Sequence, residues 1–356
     1  MYAVIMAGGV GTRFWPRSRQ KRPKQFLSIF DSRTLVQATV NRLSPLIPKE
    51  KTFFVLNPQQ KALLQEQLPD IPEQNIILEP FGKNTAPCIG LAAIHLSTID
   101  ADAVMAVLPS DHLIRDEETF RSALKIAGQI AEERNALVTI GITPGRPATG
   151  YGYVQHNEKV LEKDGISVHK VKTFAEKPNY ETAVRFLESG DFLWNSGMFI
   201  WKVSTILQEL QTHLPEMHSG LMQLREFIGT DRYEKELEKF YRQIRSISID
   251  YGVMEKAQNV YVVKCDFGWN DVGSWEEVYK LAEKDKHGNA IAGNGLAIAS
   301  KNSYVYSDNE LVALLGVEDL IVVKADNAIL VCHRDKAQEV KDLVEYLKRK
   351  DMGKYL

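Results

Sequence analysis

The sequence predicts an α/β fold in which a mixed, mostly parallel sheet carries helices on both of its faces. Apolar runs that are hydrophobic at nearly every position alternate along the chain with segments of helical periodicity. This alternation is typical of parallel strands that are buried on both faces. The chain of 356 residues is also long enough for one large domain of this kind and a smaller appended unit.

The first half of the chain supplies the alternating elements. The predicted strands are residues 2–7, 52–56, 75–79, 103–108 and 136–140. The predicted helices between them are residues 34–43, 59–68, 85–97 and 117–132. Ligands of open parallel sheets bind beyond the carboxyl ends of the strands. Because Gly8, Glu79 and Asp111 follow or close such strands, we expect them to face one crevice.

The pattern changes after residue 149. Residues 150–155 and 168–174 alternate like antiparallel strands, 178–188 are a predicted helix, and 194–201 and 260–265 are predicted strands. A composition shift at residues 286–289 predicts a boundary between a main domain, residues 1–285, and a small unit, residues 286–356. Short β segments are predicted in that unit at residues 295–299, 303–307, 311–315, 320–324 and 328–332. They suit one irregular turn of a β-helix, followed by an amphipathic helix at 335–348.

Composition argues against several classes of function. The 44 Lys and Arg residues against 46 Asp and Glu residues give a formal charge of −2, so no global field favours nucleic acid or a membrane surface. The three cysteines, Cys88, Cys265 and Cys332, have neither disulfide-framework nor zinc-site spacing. No apolar run is long enough to span a bilayer, and the first one lacks the basic region of a signal peptide. We therefore expect a cytoplasmic protein.

The N-terminal stretch is the first candidate site. The first strand runs into Gly8, Gly9 and Gly11, and such glycines admit positive φ angles and let backbone N–H groups approach an anion. The cations that follow are Arg13, Arg17, Arg19, Lys21, Arg22 and Lys24. Together they predict a phosphate cradle, with an ordinary glycine turn beside a solvated basic face as the alternative.

Two common phosphate-binding motifs do not match this stretch. A P-loop requires Lys and Ser or Thr directly after its last glycine, whereas Thr12 and Arg13 follow Gly11. The dinucleotide fingerprint requires a third glycine where Phe14 stands, and Pro16 interrupts the helix that should follow. The predicted cradle is therefore neither a P-loop nor a dinucleotide loop.

The stretch AGGVGTRFWPRSR, continued by PKQF at residues 23–26, resembles the glycine-rich signature of the sugar-nucleotide pyrophosphorylases, a family of nucleotidyltransferases. Its WPRSR and PKQF details are similar to the mannose-1-phosphate guanylyltransferase branch. The resemblance extends over roughly residues 1–274, with five motifs in the expected order, and is weaker after residue 286. It implies a Rossmann-like, glycosyltransferase-A-like fold with residues 1–285 as the catalytic domain. Larger relatives carry an isomerase domain, for which this chain has no room, so we expect one activity.

The resemblance also implies catalytic roles. Arg13 would hold the leaving phosphates, and Lys24 would bridge the transferred phosphate and the sugar phosphate. Asp111 and Asp271 would hold Mg²⁺, which needs only one or two carboxylates beside substrate phosphates. The residues alone allow a plainer interpretation, since Asp111 could cap the following helix and Asp271 could be a turn residue.

The implied nucleotide-binding residues are Gly8, Gly9, Gly11, Thr12, Glu79, Asn84, Thr85 and Ser110. A carboxylate can accept hydrogen bonds from both N1–H and N2–H of guanine, so Glu79 is the predicted guanine reader. Glu79 could instead cap the nearby helix.

The implied residues for the sugar phosphate are Gly150, Tyr151, Glu176, Lys177 and Asn195. Glycine at position 150 would let the backbone approach the sugar, and the Asn195 amide offers a donor and an acceptor for a vicinal diol. By itself, however, an exposed Glu-Lys pair such as 176–177 is most often solvated charge.

The reaction implied by the resemblance transfers GMP from GTP to α-D-mannose 1-phosphate and forms GDP-mannose and pyrophosphate. A homodimer is the expected assembly. Two alternatives stay open at this point. One is a sister enzyme that uses another nucleotide or another hexose 1-phosphate. The other is an inactive sugar-nucleotide sensor, although that class would be expected to have lost the charged residues that are present here.

Overall fold

A computed structural model describes residues 1–356 as a large mixed sheet with helices on both faces and a small C-terminal sheet. The strands of the large sheet are β1 (Tyr2–Met6), β2 (Thr52–Leu56), β3 (Ile76–Leu78), β4 (Val104–Pro109), β5 (Leu137–Ile142), β6 (Tyr153–Lys163), β7 (Ile166–Ala175), β8 (Phe192–Lys202) and β9 (Val260–Lys264). The helices are α1 (Leu35–Asn41), α2 (Lys61–Gln67), α3 (Thr85–Ser97), α4 (Glu117–Arg134), α5 (Tyr180–Ser189), α6 (Val203–His213), α7 (Pro215–Arg225), α8 (Tyr233–Gln243), α9 (Trp275–Leu281) and α10 (Val340–Arg349).

The order of the large sheet is β3-β2-β1-β4-β8-β5-β9-β7-β6. The first four of these strands are parallel, as are β5 and β9, while β8 runs antiparallel between β4 and β5. The predicted α/β class is confirmed. Met6 of β1 lies opposite Pro109 of β4. The loops that follow these two strands therefore begin side by side.

Two layers of apolar side chains explain why the predicted strands lack polar alternation. Successive residues of a strand point to opposite faces. In β1, Ile5 lies in the core on one face of the sheet and Val4 in the core on the other. All five residues of β2 are buried. A strand with a core on both sides has no position for a solvated side chain, so its sequence is a continuous apolar run.

The C-terminal sheet consists of β10 (Ala290–Ile298), β11 (Tyr304–Leu315), β12 (Leu320–Ala325) and β13 (Ala328–His333), in that order. We expected two separate segments at residues 303–307 and 311–315, and the structure shows one continuous strand, β11. The register shifts between Gly293, which pairs with Ser307, and Gly295, which pairs with Val312, so the unpaired residues bulge from β11 and β10 pairs with both halves of β11. The predicted last helix is divided into a short 3₁₀ segment, Arg334–Glu339, and α10.

The C-terminal unit packs against the glycine-rich stretch. Phe14 and Trp15 share one apolar cluster with Trp275 and with the buried stripe of α10. The Trp275 indole donates to the Trp15 carbonyl (3.0 Å), and the Trp15 indole donates to the Tyr355 carbonyl (2.7 Å). The start of the chain is thus fixed by its last residues. No helix in the structure combines the length and the apolar character that crossing a bilayer requires.

Candidate active site

The loop after β1 has backbone amides that make no hydrogen bond within the chain. The Gln25 side-chain amide donates to the carbonyls of Ala7 (2.5 Å) and Gly9 (3.0 Å), and the Lys24 N–H donates to the carbonyl of Val10 (3.1 Å). The backbone N–H groups of residues 8–12 donate to no group of the chain. Carbonyls satisfied from within and amides left free are what an anion-binding loop requires.

Gly11 shows why glycine is needed in this loop. Its φ is +73°, and a Cβ built there would collide with the Cβ of Lys24. A side chain at position 11 would therefore be strained and would displace Lys24.

Lys24 is buried and connects three loops. Its Nζ donates to Asp111 Oδ2 (2.7 Å), after β4, and to the Asp271 carbonyl (2.9 Å), after β9. An ammonium group carries three N–H donors, so one is left for a ligand. The loop after β1 thereby reaches both predicted metal ligands through a single side chain.

The two carboxylates have different partners: Lys24 binds the Asp111 carboxylate, whereas Tyr151 binds that of Asp271. Tyr151 Oη donates to Asp271 Oδ1 (2.8 Å), and this contact adds to the effect of burial in raising the pKa of Tyr151. Burial is the largest single effect on the pKa of Asp111 and would raise it, but the charge of Lys24, its hydrogen bond and other nearby groups together outweigh burial and hold the pKa below its usual value. Asp111 is therefore ionised at neutral pH.

His112 lies beside Asp111. Its Nδ1 accepts a hydrogen bond from the Trp269 indole (3.1 Å), and its carbonyl accepts one from Arg42 Nη1 (3.0 Å). Burial lowers the pKa of His112 to about 4, against the opposing charges of Asp111 and Asp271. The imidazole is therefore neutral at physiological pH.

A cleft of about 370 Å³ opens at the carboxyl ends of β1 and β4. The predicted site residues that line it are Gly9, Gly11, Thr85, Ser110, Asp111, Gly150, Tyr151, Glu176, Lys177, Asn195 and Asp271. A second cavity of about 320 Å³ contains the remaining predicted phosphate contacts, Thr12, Arg13 and Lys24. Gly11, Asp111, His112 and Asp271 line both, so the two spaces meet at the carboxylates.

The far side of the cleft is built from hydrogen-bonding side chains. Asn195 Nδ2 donates to Asp250 Oδ1 (2.8 Å), and burial raises the pKa of Asp250 to about 6. Glu176 pairs with Lys177 and lies against Gly152, where a Cβ would collide with Glu176 Oε2. The Glu-Lys pair thus lies in the cleft, and it is not simply a solvated surface pair.

Three predicted nucleotide contacts do not line either space. Gly8 lies against the Glu79 carboxylate, and Asn84, at a φ of 72°, accepts from the Thr85 N–H and caps α3. Glu79 is buried against Gly8, and its Oε2 accepts from Tyr241 Oη (3.2 Å). The alternative prediction, that Glu79 caps the nearby helix, is therefore wrong, because Asn84 caps α3.

The arrangement combines a free-amide loop, a buried ammonium group and two carboxylates at the edge of a sheet. A family model described as Nucleotidyl transferase matches residues 2–288. The chain belongs to the nucleotidyl transferase family. A second model, described as the MannoseP isomerase/GMP-like beta-helix domain, matches residues 293–347.

Relatives of this nucleotidyl transferase include a mannose-1-phosphate guanylyltransferase of Escherichia coli, 39% identical over 97% of this chain and 75% of the relative. The xanthan biosynthesis protein XanB of Xanthomonas campestris is 40% identical over 97% of this chain and 73% of its own length. A crystal structure from Thermus thermophilus, described as a mannose-1-phosphate geranyltransferase, is 36% identical with a TM-score of 0.87. The match covers 98% of this chain and 99% of the Thermus chain.

Sequence reasoning missed four residues of the nucleotidyl transferase site: Gln25, His112, Asp250 and Trp269. Gln25 and His112 directly follow predicted catalytic residues, and this adjacency was a usable signal. Asp250 lies in an unusual five-residue helical turn, Asp250–Met254, that the sequence pattern does not distinguish from ordinary helix. Trp269 lines the cleft, and its indole donates a hydrogen bond to His112.

Glu79 should make the stability of the enzyme depend on pH. Burial raises its pKa from 4.5 to about 7, against the hydrogen bond from Tyr241. Because the folded-state pKa is the higher one, the fold retains a proton that the unfolded chain has already lost, and stability falls as pH rises through this window. We expect Glu79→Gln to be more stable than the parent protein at pH 8, by up to about 3 kcal/mol, and to match it near pH 4.

Urea denaturation at both pH values would measure this difference. Glu66→Gln, at an exposed position of α2, is the matched control. Its effect on stability should be small and the same at both pH values. A Glu79→Gln protein that is less stable at pH 8 than at pH 4, relative to the parent, would contradict the assignment.

Proposed function

We propose that this nucleotidyl transferase transfers GMP from GTP to α-D-mannose 1-phosphate and releases GDP-mannose and pyrophosphate. The observation that carries the proposal is that the two cavities meet at Asp111 and Asp271, which Lys24 joins by hydrogen bonds. The second cavity, which Arg13 lines, offers free amides and a guanidinium group to a polyphosphate. The larger cleft offers hydrogen-bonding side chains to a sugar. The substrate names come from the relatives that match nearly the full chain.

The chemistry needs alignment and charge neutralisation more than proton transfer. A sugar phosphate is already an anionic nucleophile at neutral pH, so its oxygen can attack the α-phosphorus in line, opposite the departing pyrophosphate. Lys24 would donate its third N–H to the transferred phosphate, and Arg13 would hold the leaving group. Lys177 and Asn195 would orient the sugar phosphate from the far side of the cleft.

Mg²⁺ fits the residues at the junction. Asp111 and Asp271 supply hard oxygen ligands, and each keeps one oxygen that accepts no hydrogen bond from another side chain. A Cβ on Gly273 would lie 3.0 Å from Asp271 Oδ2, so glycine leaves that oxygen open. A bound ion would neutralise charge on the polyphosphate, while the protein's own groups align it.

The test is pyrophosphate release by the purified protein with GTP and mannose 1-phosphate, with and without Mg²⁺. Product appearance only with both substrates and the metal would support the proposal. The same assay with ATP, CTP or UTP, or with glucose 1-phosphate, would identify a sister enzyme if one of these pairs were faster. Absence of turnover with every pair would support a non-catalytic sensor.

We further propose that Glu79 reads guanine after local rearrangement around Gly8. Its ionised carboxylate can accept from the two guanine N–H groups, and such bonds would favour the charged form that burial disfavours. We expect Glu79→Gln to lower the ratio of kcat/KM for GTP to that for ATP by about 10- to 100-fold, because one guanine N–H would lose its acceptor. Tyr241→Phe, which removes the donor to Glu79 without removing the carboxylate, is the control and should keep GTP preferred. An unchanged ratio in Glu79→Gln would remove Glu79 from base recognition.

A further inference from the structure

The position of His112 is defined by the two cavities. It is one of the four residues that line both, together with Gly11, Asp111 and Asp271. A phosphorus that passes from a leaving polyphosphate to a sugar phosphate has to lie where the two spaces meet. His112 therefore borders the place of transfer.

The hydrogen bond from Trp269 determines which imidazole nitrogen carries the proton. An indole N–H is a donor only, so His112 Nδ1, 3.1 Å away, must accept and must be unprotonated. A neutral imidazole then carries its proton on Nε2. No group of the chain accepts a hydrogen bond from Nε2, and His112 lines the cleft. The second nitrogen is a donor available to a ligand.

A backbone bridge fixes the positions of His112 and Trp269 relative to each other. Leu113 and Asn270 exchange two backbone hydrogen bonds, of 2.9 and 3.0 Å, as an isolated antiparallel bridge. His112 and Trp269 each directly precede one of these two residues, and their rings meet edge to face at 5.5 Å. Trp269 also packs on Tyr151, whose hydroxyl binds Asp271. The imidazole is therefore fixed relative to both carboxylates.

A neutral donor has a specific use at this position. Asp111 and Asp271 must stay ionised to hold a cation, and an imidazolium beside them would compete with it for the carboxylates. A neutral N–H stabilises negative charge on a phosphate oxygen without adding a positive charge next to the metal ligands.

We propose that His112 donates a hydrogen bond from Nε2 to a non-bridging oxygen of the transferred phosphate, and that Trp269 positions it in the tautomer that can donate. The inference deepens the proposed function, because it depends on phosphate transfer at this junction. It does not depend on which base or which sugar is used.

Two variants of His112 separate its two nitrogens. In His112→Gln the side-chain amide can place an N–H near Nε2, whereas in His112→Asn the amide reaches the Nδ1 position and can accept from Trp269 but offers nothing to the phosphate. We expect kcat to fall about 100-fold in His112→Asn and less than about 10-fold in His112→Gln, with KM for both substrates changed less than about 3-fold. Equal losses in the two variants, or near-parent turnover in His112→Asn, would overturn the proposal.

Trp269→Phe keeps an aromatic ring and removes the indole donor. It should lower kcat about 10-fold in the parent background, where the imidazole can then change tautomer. In the His112→Gln background it should lower kcat by no more than about 2-fold, because a glutamine amide has no tautomer to fix. The same loss in both backgrounds would show that Trp269 acts through packing alone. The parent enzyme is assayed alongside, so a failure of the proposed function, seen as no turnover in the parent, is distinct from a failure of His112.

Discussion

Replacing Lys24 by alanine is expected to lower kcat about 1,000-fold while the protein stays folded. Lys24 is the only side chain that contacts the Asp111 carboxylate and the Asp271 carbonyl together, and it does so with a donor to spare. Its loss would remove the charge that opposes the repulsion between two phosphate groups as they approach. KM for GTP should change much less than kcat, since the repulsion is greatest in the transition state.

The control for this experiment lies three residues earlier. Lys21 belongs to the same basic stretch but is exposed, so Lys21→Ala should keep near-parent turnover at ordinary salt. Thermal unfolding of both variants would establish that each is folded. A Lys24→Ala enzyme with kcat within about 10-fold of the parent would show that the ammonium group serves only to join the loops.

Asp111→Asn is expected to lower turnover by at least about 1,000-fold and to weaken the activation by Mg²⁺. An amide keeps the size of the carboxylate and can still accept from Lys24, but it lacks the charge that a hard divalent ion requires. Because burial opposes ionisation and the Lys24 charge is the largest of the effects that favour it, the native carboxylate depends on its partner. Initial rates measured over a range of Mg²⁺ concentrations would give both effects.

Asp231→Asn provides the matched substitution, since Asp231 is exposed and distant in sequence from the site. It should leave the Mg²⁺ dependence unchanged. An Asp111→Asn enzyme that reaches the parent rate at saturating GTP, with the same Mg²⁺ dependence, would show that this carboxylate does not hold the ion.

Much of the fold could be predicted because strands buried on both faces carry an unmistakable apolar pattern. β2 and α3 were predicted with the bounds that the structure shows. The position of β8 could not be predicted in the same way. Its apolar run identifies it as a strand, but its insertion between β4 and β5 depends on pairings with residues far away in sequence.

The same contrast between local patterns and long-range contacts applies to the site. Residues shortly after predicted strands, such as Asp111, were placed correctly at the sheet edge because parallel strands end together. Glu79 also follows a strand, yet it turns into the core against Tyr241, a residue of α8 that the sequence does not connect with it. The hydrogen bonds of Lys24 and Trp269 likewise join distant loops, and local patterns carry no information about them. The division at residues 285 and 286 stays a prediction.

The hydrogen bond between Trp15 and Tyr355 joins residues that are 340 positions apart in the chain. During synthesis the strands of the large sheet leave the ribosome long before Tyr355 does, and domains generally fold as they emerge. The main core can therefore form while the glycine-rich stretch still lacks its packing partner. Contacts that close so large a loop are costly to form early and tend to form late. The nascent enzyme would then acquire its shape first and its activity last.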